Sequence, residues 1–434
     1  MKGIIRAICL ILMPTLAWGQ PGFGARSMGM AGAYQGMARG AEVCFWNPAN
    51  LALPDGPRLS LDLLGAGLSM GNNSFSIGLY NDYFSQDYFD GNGGWDDAAK
   101  NYIISQVPSG GFSWYNRFQL TYASVSYLQY ALAVNGFAHS TVQLPQELIE
   151  IPLRGLGTDP VEMTDFEGEA VWGTEIAMSG ATVIDPGWVW ADYLTIGGTF
   201  KFLIGHAYAE LAEAEGAILS NTDSIGVNGH YRLLLAAPFD GKGRSGYGVG
   251  FDVGAAARIS ATWDVGLSLH NVIGSIRFGH LEESQGSFAF NQPGLNIDEF
   301  DNFKEYIDSV SIETDTTFDS DEKVSYELPK SLLLSATYRI SPKVTLEADY
   351  HQGLNNTAGG TTTPRLAVGG EWRHWPWLPT RFGFGLGGIQ GTTLACGLGL
   401  VLSSYQLDLA VASQRGLFYG SKGFNFAISH RIIF

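Results

Sequence analysis

The chain has 434 residues, 57 of them glycine, near twice the usual share of about 7%. Charged residues make up only 15%, yet 25 basic against 42 acidic side chains leave a net charge of −17, the wrong sign for a nucleic-acid binder. A hydrophobic share of 45% excludes a disordered chain, and a mean hydropathy of +0.04 excludes a bundle of membrane helices.

Residues 1–19 read as a signal peptide. Lys2 and Arg6 form its basic start, Ala7 to Leu16 its apolar core, and Ala17-Trp18-Gly19 places small residues for cleavage before Gln20. The apolar run is too short to span a bilayer, and Cys9 lies inside it, too early for a lipoprotein cleavage site. Cys44 and Cys396 then remain, too few for a disulfide framework in an exported chain.

The next unit, residues 20–56, does not read as a strand. Gly24, Gly29, Gly32, Gly36 and Gly40 are interleaved with alanines, which allows tight bends and close backbone approach. Asn47-Pro48 is a turn initiator. Such irregular backbone is costly in lipid, where its polar groups have no partners, but is shielded inside a barrel. A plug or hatch is expected, with Phe45, Trp46, Asn47, Pro48 and Ala49 as gating candidates. The run Ala25-Arg26-Ser27-Met28-Gly29-Met30-Ala31-Gly32-Ala33, followed by Trp46-Asn47-Pro48-Ala49, resembles the opening of FadL-type outer-membrane barrels and their PorV-like relatives. Asn50 stands where those families usually have Gly. The stretches Asn72–Asn81, Trp95–Val107 and Gly416–Phe426 are similar to an uncharacterised branch of the same barrels. The resemblance implies fourteen strands around an N-terminal hatch. It also implies either passage of hydrophobic molecules to a lateral opening, as in FadL, or a PorV-like role in protein secretion and surface attachment.

From residue 57 onward the recurrent signal is period-two alternation, the mark of strands with two unlike faces. Tyr247, Val249, Phe251 and Val253 alternate with Gly248, Gly250 and Asp252; Val344, Leu346, Ala348 and Tyr350 alternate with Thr345, Glu347 and Asp349. These runs are long enough for tilted strands to cross a bilayer, and several apolar faces begin or end in aromatics. Connections at 261–262, 341–342, 375–380 and 403–404 read as tight turns on one side, with 281–326 and 354–363 open on the other. The expected fold is therefore all-β, a transmembrane antiparallel barrel of about fourteen strands, sixteen being the alternative. The region 205–245 resists counting, because Glu210–Gly216 and Asp240–Ser245 both read as turns.

On the inward registers lie the cations Lys201, Arg258, Arg339, Lys343, Arg365, Arg373 and Arg381 and the anions Asp252, Asp264, Glu347, Asp349, Glu371 and Asp408. Near balance implies structural ion pairs across strands or with the hatch, and a plugged lumen rather than a wide porin. Cys396 is expected to face lipid and Cys44 the lumen, so that no bridge joins them.

The acid surplus lies in outer loops, above all 298–322, which lacks the ligand spacing of a calcium loop and reads as a solvated segment rather than a cation site. Glu147–Gly155 and Trp95–Val107 read as short loop helices. His139-Ser140 with Asp159 or Asp165, and His270 beside Asp264, are the nearest approach to a catalytic set. No nucleophile, metal or dinucleotide motif accompanies them, so neither catalysis nor a metal or cofactor is expected. The terminal strand, with Phe424, Phe426, Ile428, Ile432 and Phe434, resembles the signal read by the barrel-insertion machinery of bacterial outer membranes. Expected partners are that machinery, outer-membrane lipid and lipopolysaccharide, and either hydrophobic small molecules or exported proteins.

Overall fold

The computed structural model describes residues 24–155, 160–164, 166–184, 191–221, 224–236, 245–293, 312–320 and 322–434. The signal peptide, Asp159, Asp165, residues 240–244 of the expected turn and residues 298–311 of the acidic stretch 298–322 lie outside them.

Fourteen strands close into an antiparallel barrel. The first seven are β1 (Leu59–Asn72), β2 (Phe112–Tyr127), β3 (Tyr130–Leu144), β5 (Glu167–Ile184), β6 (Tyr193–Asn221), β8 (Gly246–Arg258) and β9 (Trp263–Phe278). The remaining seven are β13 (Ser331–Ser341), β14 (Val344–Gly353), β15 (Arg365–Trp375), β16 (Leu378–Gly387), β17 (Thr393–Leu402), β18 (Tyr405–Gln414) and β19 (Gly423–Ile433). Closure runs from Ser60↔Ile433 to Gly71↔Gly423, pairing β1 with β19. Among the described residues the wall thus closes on itself, the condition for strands to lie in lipid.

The faces are inverted relative to a water-soluble sandwich. Leu346 and Tyr350 on β14 are exposed, whereas Glu347 and Asp349 between them are buried. The same holds for exposed Leu409 and Val411 against buried Asp408 on β18. Apolar residues outside and polar ones inside are the pattern of a transmembrane barrel. Tight connections cluster at one end: Ser403 takes φ +57 in the two-residue turn between Leu402 and Tyr405, and Leu128 takes φ +54 between Tyr127 and Tyr130. Pro342 and Pro376 sit in the neighbouring turns.

At the opposite end the chain differs from the expectation in two places. Residues 210–216, read as a turn, are continuous strand within the 29-residue β6. Below Gly205 that strand pairs with β8, and above it with β7 (Ser224–Ala236). The short β4 (Val161–Met163) pairs with the same upper part of β6. The Ala, Glu and Gly of this part are poor strand formers, and pairing with β5 and β7 overrides their preference. The segment 281–326, read as an open loop, carries β10 (Leu281–Pro293), β11 (Ile312–Ser320) and β12 (Val324–Glu327). β10 pairs with β7 and β11, extending the wall as a ribbon. Ser, Glu and Gln dominate its sequence, so no apolar face announced it.

Helices Ile77–Tyr83, Gln86–Asn92, Asp97–Ser105 and Glu147–Arg154 lie at this end too. Ser76, Ser85 and Asp96 cap the first three through their side chains. Beneath the ribbon an apolar cluster that includes Phe137, Val171, Leu203, Tyr208, Ile276, Phe278 and Tyr326 is fully buried.

Candidate functional site

Residues 24–58 pack against the inner faces of the strands and are almost wholly buried through Leu53. Short turns of helix, Ala25–Met28, Gln35–Met37, Gly40–Phe45 and Pro48–Ala52, succeed one another with little regular structure between them. The wall supplies what this backbone lacks. Asp349 accepts the amides of Tyr34 and Gln35 at 2.8 and 2.9 Å, and Glu347 accepts that of Gly36 at 2.6 Å. Asn47 donates to the carbonyls of Ala255 and Leu267, opposed residues on β8 and β9, while its oxygen caps Ala49 at 3.0 Å.

Glycine makes this approach possible. A Cβ on Gly383 would lie 2.1 Å from the Met30 carbonyl carbon, and one on Gly197 would lie 2.6 Å from the Ala49 nitrogen. Gly29 meets Gly397 with no side chain on either partner. Part of the glycine excess is thus a seat for the N-terminal segment.

Charges hold the same contact. Arg39 pairs with Asp55 at 2.8 Å and with Asp264 at 3.0 Å, and Arg258 and Arg339 bind the same two carboxylates. Arg381 links Glu371 and Asp408 at 2.7 and 2.6 Å, with Arg26 joining Glu371 at 3.4 Å. Burial alone would raise the Asp55 carboxyl, yet Arg39 and Arg258 hold it well below the usual carboxylate range.

Phe45 and Trp46 partition three small cavities of about 80, 40 and 30 Å³. Trp46 lines the first two and Phe45 the last two. An apolar cavity of about 150 Å³ is what takes up benzene, so none of these holds even one small aromatic ring. Trp46 is braced edge-on by Tyr34 at 5.7 Å between ring centres.

The 30 Å³ cavity lies behind an irregular patch of wall. Between the pairs Phe251↔Ile273 and Val253↔Leu269, β9 carries extra residues, and Asn271 takes φ +51. On the other side Pro329 separates β12 from β13. Side chains replace the missing ladder: Asn271 donates to the Pro329 carbonyl at 2.8 Å and accepts from Lys201 at 3.0 Å, while Asp252 accepts the Asn271 amide. Val272 and Ile273 are exposed on the outside of this patch.

Residues 59–413 match the model of a family described as a family of unknown function, DUF5723. The chain belongs to that family. No curated protein matches its sequence. Its fold is that of FadL-type barrels. The Ralstonia pickettii toluene transporter TbuX is similar over 96% of this chain and 99% of that one, at 14% identity and a TM-score of 0.51. The CymD monoaromatic hydrocarbon channel is similar over the same shares at 15% and 0.54, and the P. putida toluene transporter TodX at 12% and 0.54.

In this family member the inward charges divide by role. Lys201 meets Asp252 at 2.8 Å, and the registered pairs Arg258–Asp264 and Arg381–Glu371 are ion pairs across strands. Glu347 and Asp349 instead hold backbone amides, and Arg365 donates to the carbonyls of Ala31, Gly387 and Gly391. Lys343 and Arg373 are exposed at the short-turn rim. Cys44 is buried and Cys396 is exposed on the outer face, on opposite sides of the wall. Phe424, Phe426 and Phe434 are exposed too, with Ile428 and Ile432 half-buried beside them. His139 bonds the Tyr326 hydroxyl and His270 sits 3.5 Å from Asp252.

Sequence reasoning missed Arg26, Arg39, Glu42, Asp55, Asp62, Glu175 and Arg431. Glu175 and Arg431 alternate with outward Ile176 and Ile432, so parity alone assigns them inward. Arg26 and Arg39 lie in the irregular segment, where no parity exists.

Proposed function

We propose that this chain is an outer-membrane barrel, exported by its signal peptide, and that it is a gated passive channel for hydrophobic small molecules. Residues 24–58 are its hatch. The carrying observation is the pair Phe45–Trp46, which separates three cavities, one of them behind the broken ladder at Asn271. Displacement of this pair joins the cavities and leads a molecule sideways to the wall between β8, β9 and Pro329. The toluene and monoaromatic hydrocarbon channels of similar fold support this class of solute. Liposomes carrying the protein should take up toluene or a fatty acid faster than empty liposomes; equal rates overturn the reading.

The alternative is a PorV-like accessory in secretion or surface assembly. It draws on the ribbon β6–β7–β10–β11, which extends the sheet beyond the barrel. Affinity capture from cross-linked cells that brings down exported proteins or secretion components, with no uptake in liposomes, favours this reading instead.

A further inference from the structure

The short-turn end of the barrel, periplasmic in the membrane reading, opens into a cavity of about 810 Å³. Small-molecule sites occupy roughly 300–1,000 Å³. Six cations line it, Arg26, Arg39, Arg339, Lys343, Arg373 and Arg431, against the acids Asp55 and Glu371. In a chain of net charge −17, the local sign is reversed.

Most of these arginines are partly engaged by the latch to the N-terminal segment. Three groups are not. The Lys343 ammonium has no ion pair or hydrogen bond among the described residues, and its side chain is exposed. Nη1 of Arg339 is buried without a hydrogen-bond partner. Arg373 donates to Glu371 through Nε alone, and its side chain is 47% exposed. These groups share one patch of wall. Arg339 pairs with Thr345, Thr345 pairs with Glu371, and the Arg373 amide donates to the Lys343 carbonyl at 2.8 Å. The rest of the rim mixes hydroxyl and amide groups, including Ser403, Ser404 and Gln406, with apolar side chains such as Val401 and Ile433. Arg339 and Arg373 keep their ion pairs through Nη2 and Nε, and Lys343 carries a charge with no counter-ion among the described residues. Cations in excess of the acids lining a cavity with low-dielectric walls concentrate anions. The patch faces the barrel interior, so the wall separates it from lipid headgroups.

We propose that this mouth binds a small polyanion, carrying two or more carboxylate or phosphate groups, on Arg339, Lys343 and Arg373. The site stands on the cavity itself and does not depend on what crosses the barrel. Calorimetric titration of the full-length protein in non-ionic detergent tests it, with citrate and inorganic pyrophosphate as probes at fixed ionic strength. Saturable one-to-one binding is expected; tighter citrate assigns carboxylates, tighter pyrophosphate assigns phosphates. The double variant Lys343→Gln/Arg373→Gln should weaken binding at least about tenfold, each lost contact being a charge-assisted hydrogen bond. Lys323→Gln, exposed at the other end, should leave it unchanged. If the double variant does not fold, Lys343→Gln alone removes a side chain with no internal partner and should still weaken binding about threefold. Absence of saturable binding with both probes, or equal binding by wild type and the Lys343 variants, overturns the proposal.

Discussion

Gly254 leaves open the space that Asn47 fills: a Cβ there would lie 2.0 Å from Asn47 Oδ1. That oxygen caps Ala49, and the amide nitrogen of the same side chain bonds two carbonyls of the wall. Asn47 therefore cannot turn aside without giving up its bonds. Gly254→Ala should cost about 1–3 kcal/mol, the usual penalty of overpacking. Amide exchange at residues 47–52 should quicken while the strand pairing of β8 and β9 stays intact. Unchanged exchange there would show that Asn47 does not anchor the segment.

A second anchor is Asp349, one of whose oxygens accepts the amides of both Tyr34 and Gln35. Stranding buried donors costs about 1–3 kcal/mol. Asp349→Ala should thus speed hydrogen exchange at Tyr34 and Gln35 by roughly ten- to a hundredfold, through local opening rather than barrel unfolding. Mass spectrometry of the peptide covering 34–36 reads this directly.

The latch of Arg39, Asp55 and Arg258 makes a pH prediction. A carboxyl whose folded-state value is depressed stabilises the fold above its unfolded value, about 4, and loses that contribution as pH falls toward its folded-state value. The latch should therefore hold throughout pH 5 to 8 and loosen only in stronger acid. The difference in unfolding midpoint between wild type and Asp55→Asn should be constant from about pH 5 upward and shrink below about pH 4. A difference already gone at pH 6 would contradict the assignment.

Cys44 reports on the hatch without any engineered label. Burial pushes its thiol up to about 12, and Ser179 donates to its sulfur at 3.2 Å. At neutral pH the thiolate needed for alkylation is scarce and the path to it blocked. A maleimide should leave Cys44 unmodified in the resting protein. Phe45→Ala, which unblocks the neighbouring cavities, should make it reactive, as read by the mass of the Cys44 peptide.

The barrel was legible because lipid outside and charge inside impose opposite demands on alternate residues. Leu346, Glu347, Ala348 and Asp349 display that contrast openly. The ribbon was not, because Leu281, Glu283 and Ser284 of β10 are buried while Gln285 is exposed, so burial there follows no period of two. The apolar cluster around Phe278 and Tyr326 escaped for a different reason: there the inward face is as apolar as the outward one. Within the N-terminal segment, glycine and Asn47-Pro48 marked close packing, but Arg39 and Asp55 show their partners only once the chain is folded.

The central claim, that residues 24–58 must move for solute to pass, meets its most direct test at Ser179. Its hydroxyl lies 3.2 Å from the Cys44 sulfur, so Ser179→Cys brings two sulfurs within a small adjustment of the roughly 2.05 Å disulfide bond. With Cys396→Ser removing the other mature thiol, oxidation ties the segment to β5. Toluene uptake by liposomes should fall at least tenfold on oxidation, by about 1.4 kcal/mol or more of added barrier, and return on reduction. Uptake as fast in the oxidised protein as in the reduced one, with the bridge from Cys44 to the introduced cysteine verified by mass spectrometry, would contradict a moving hatch.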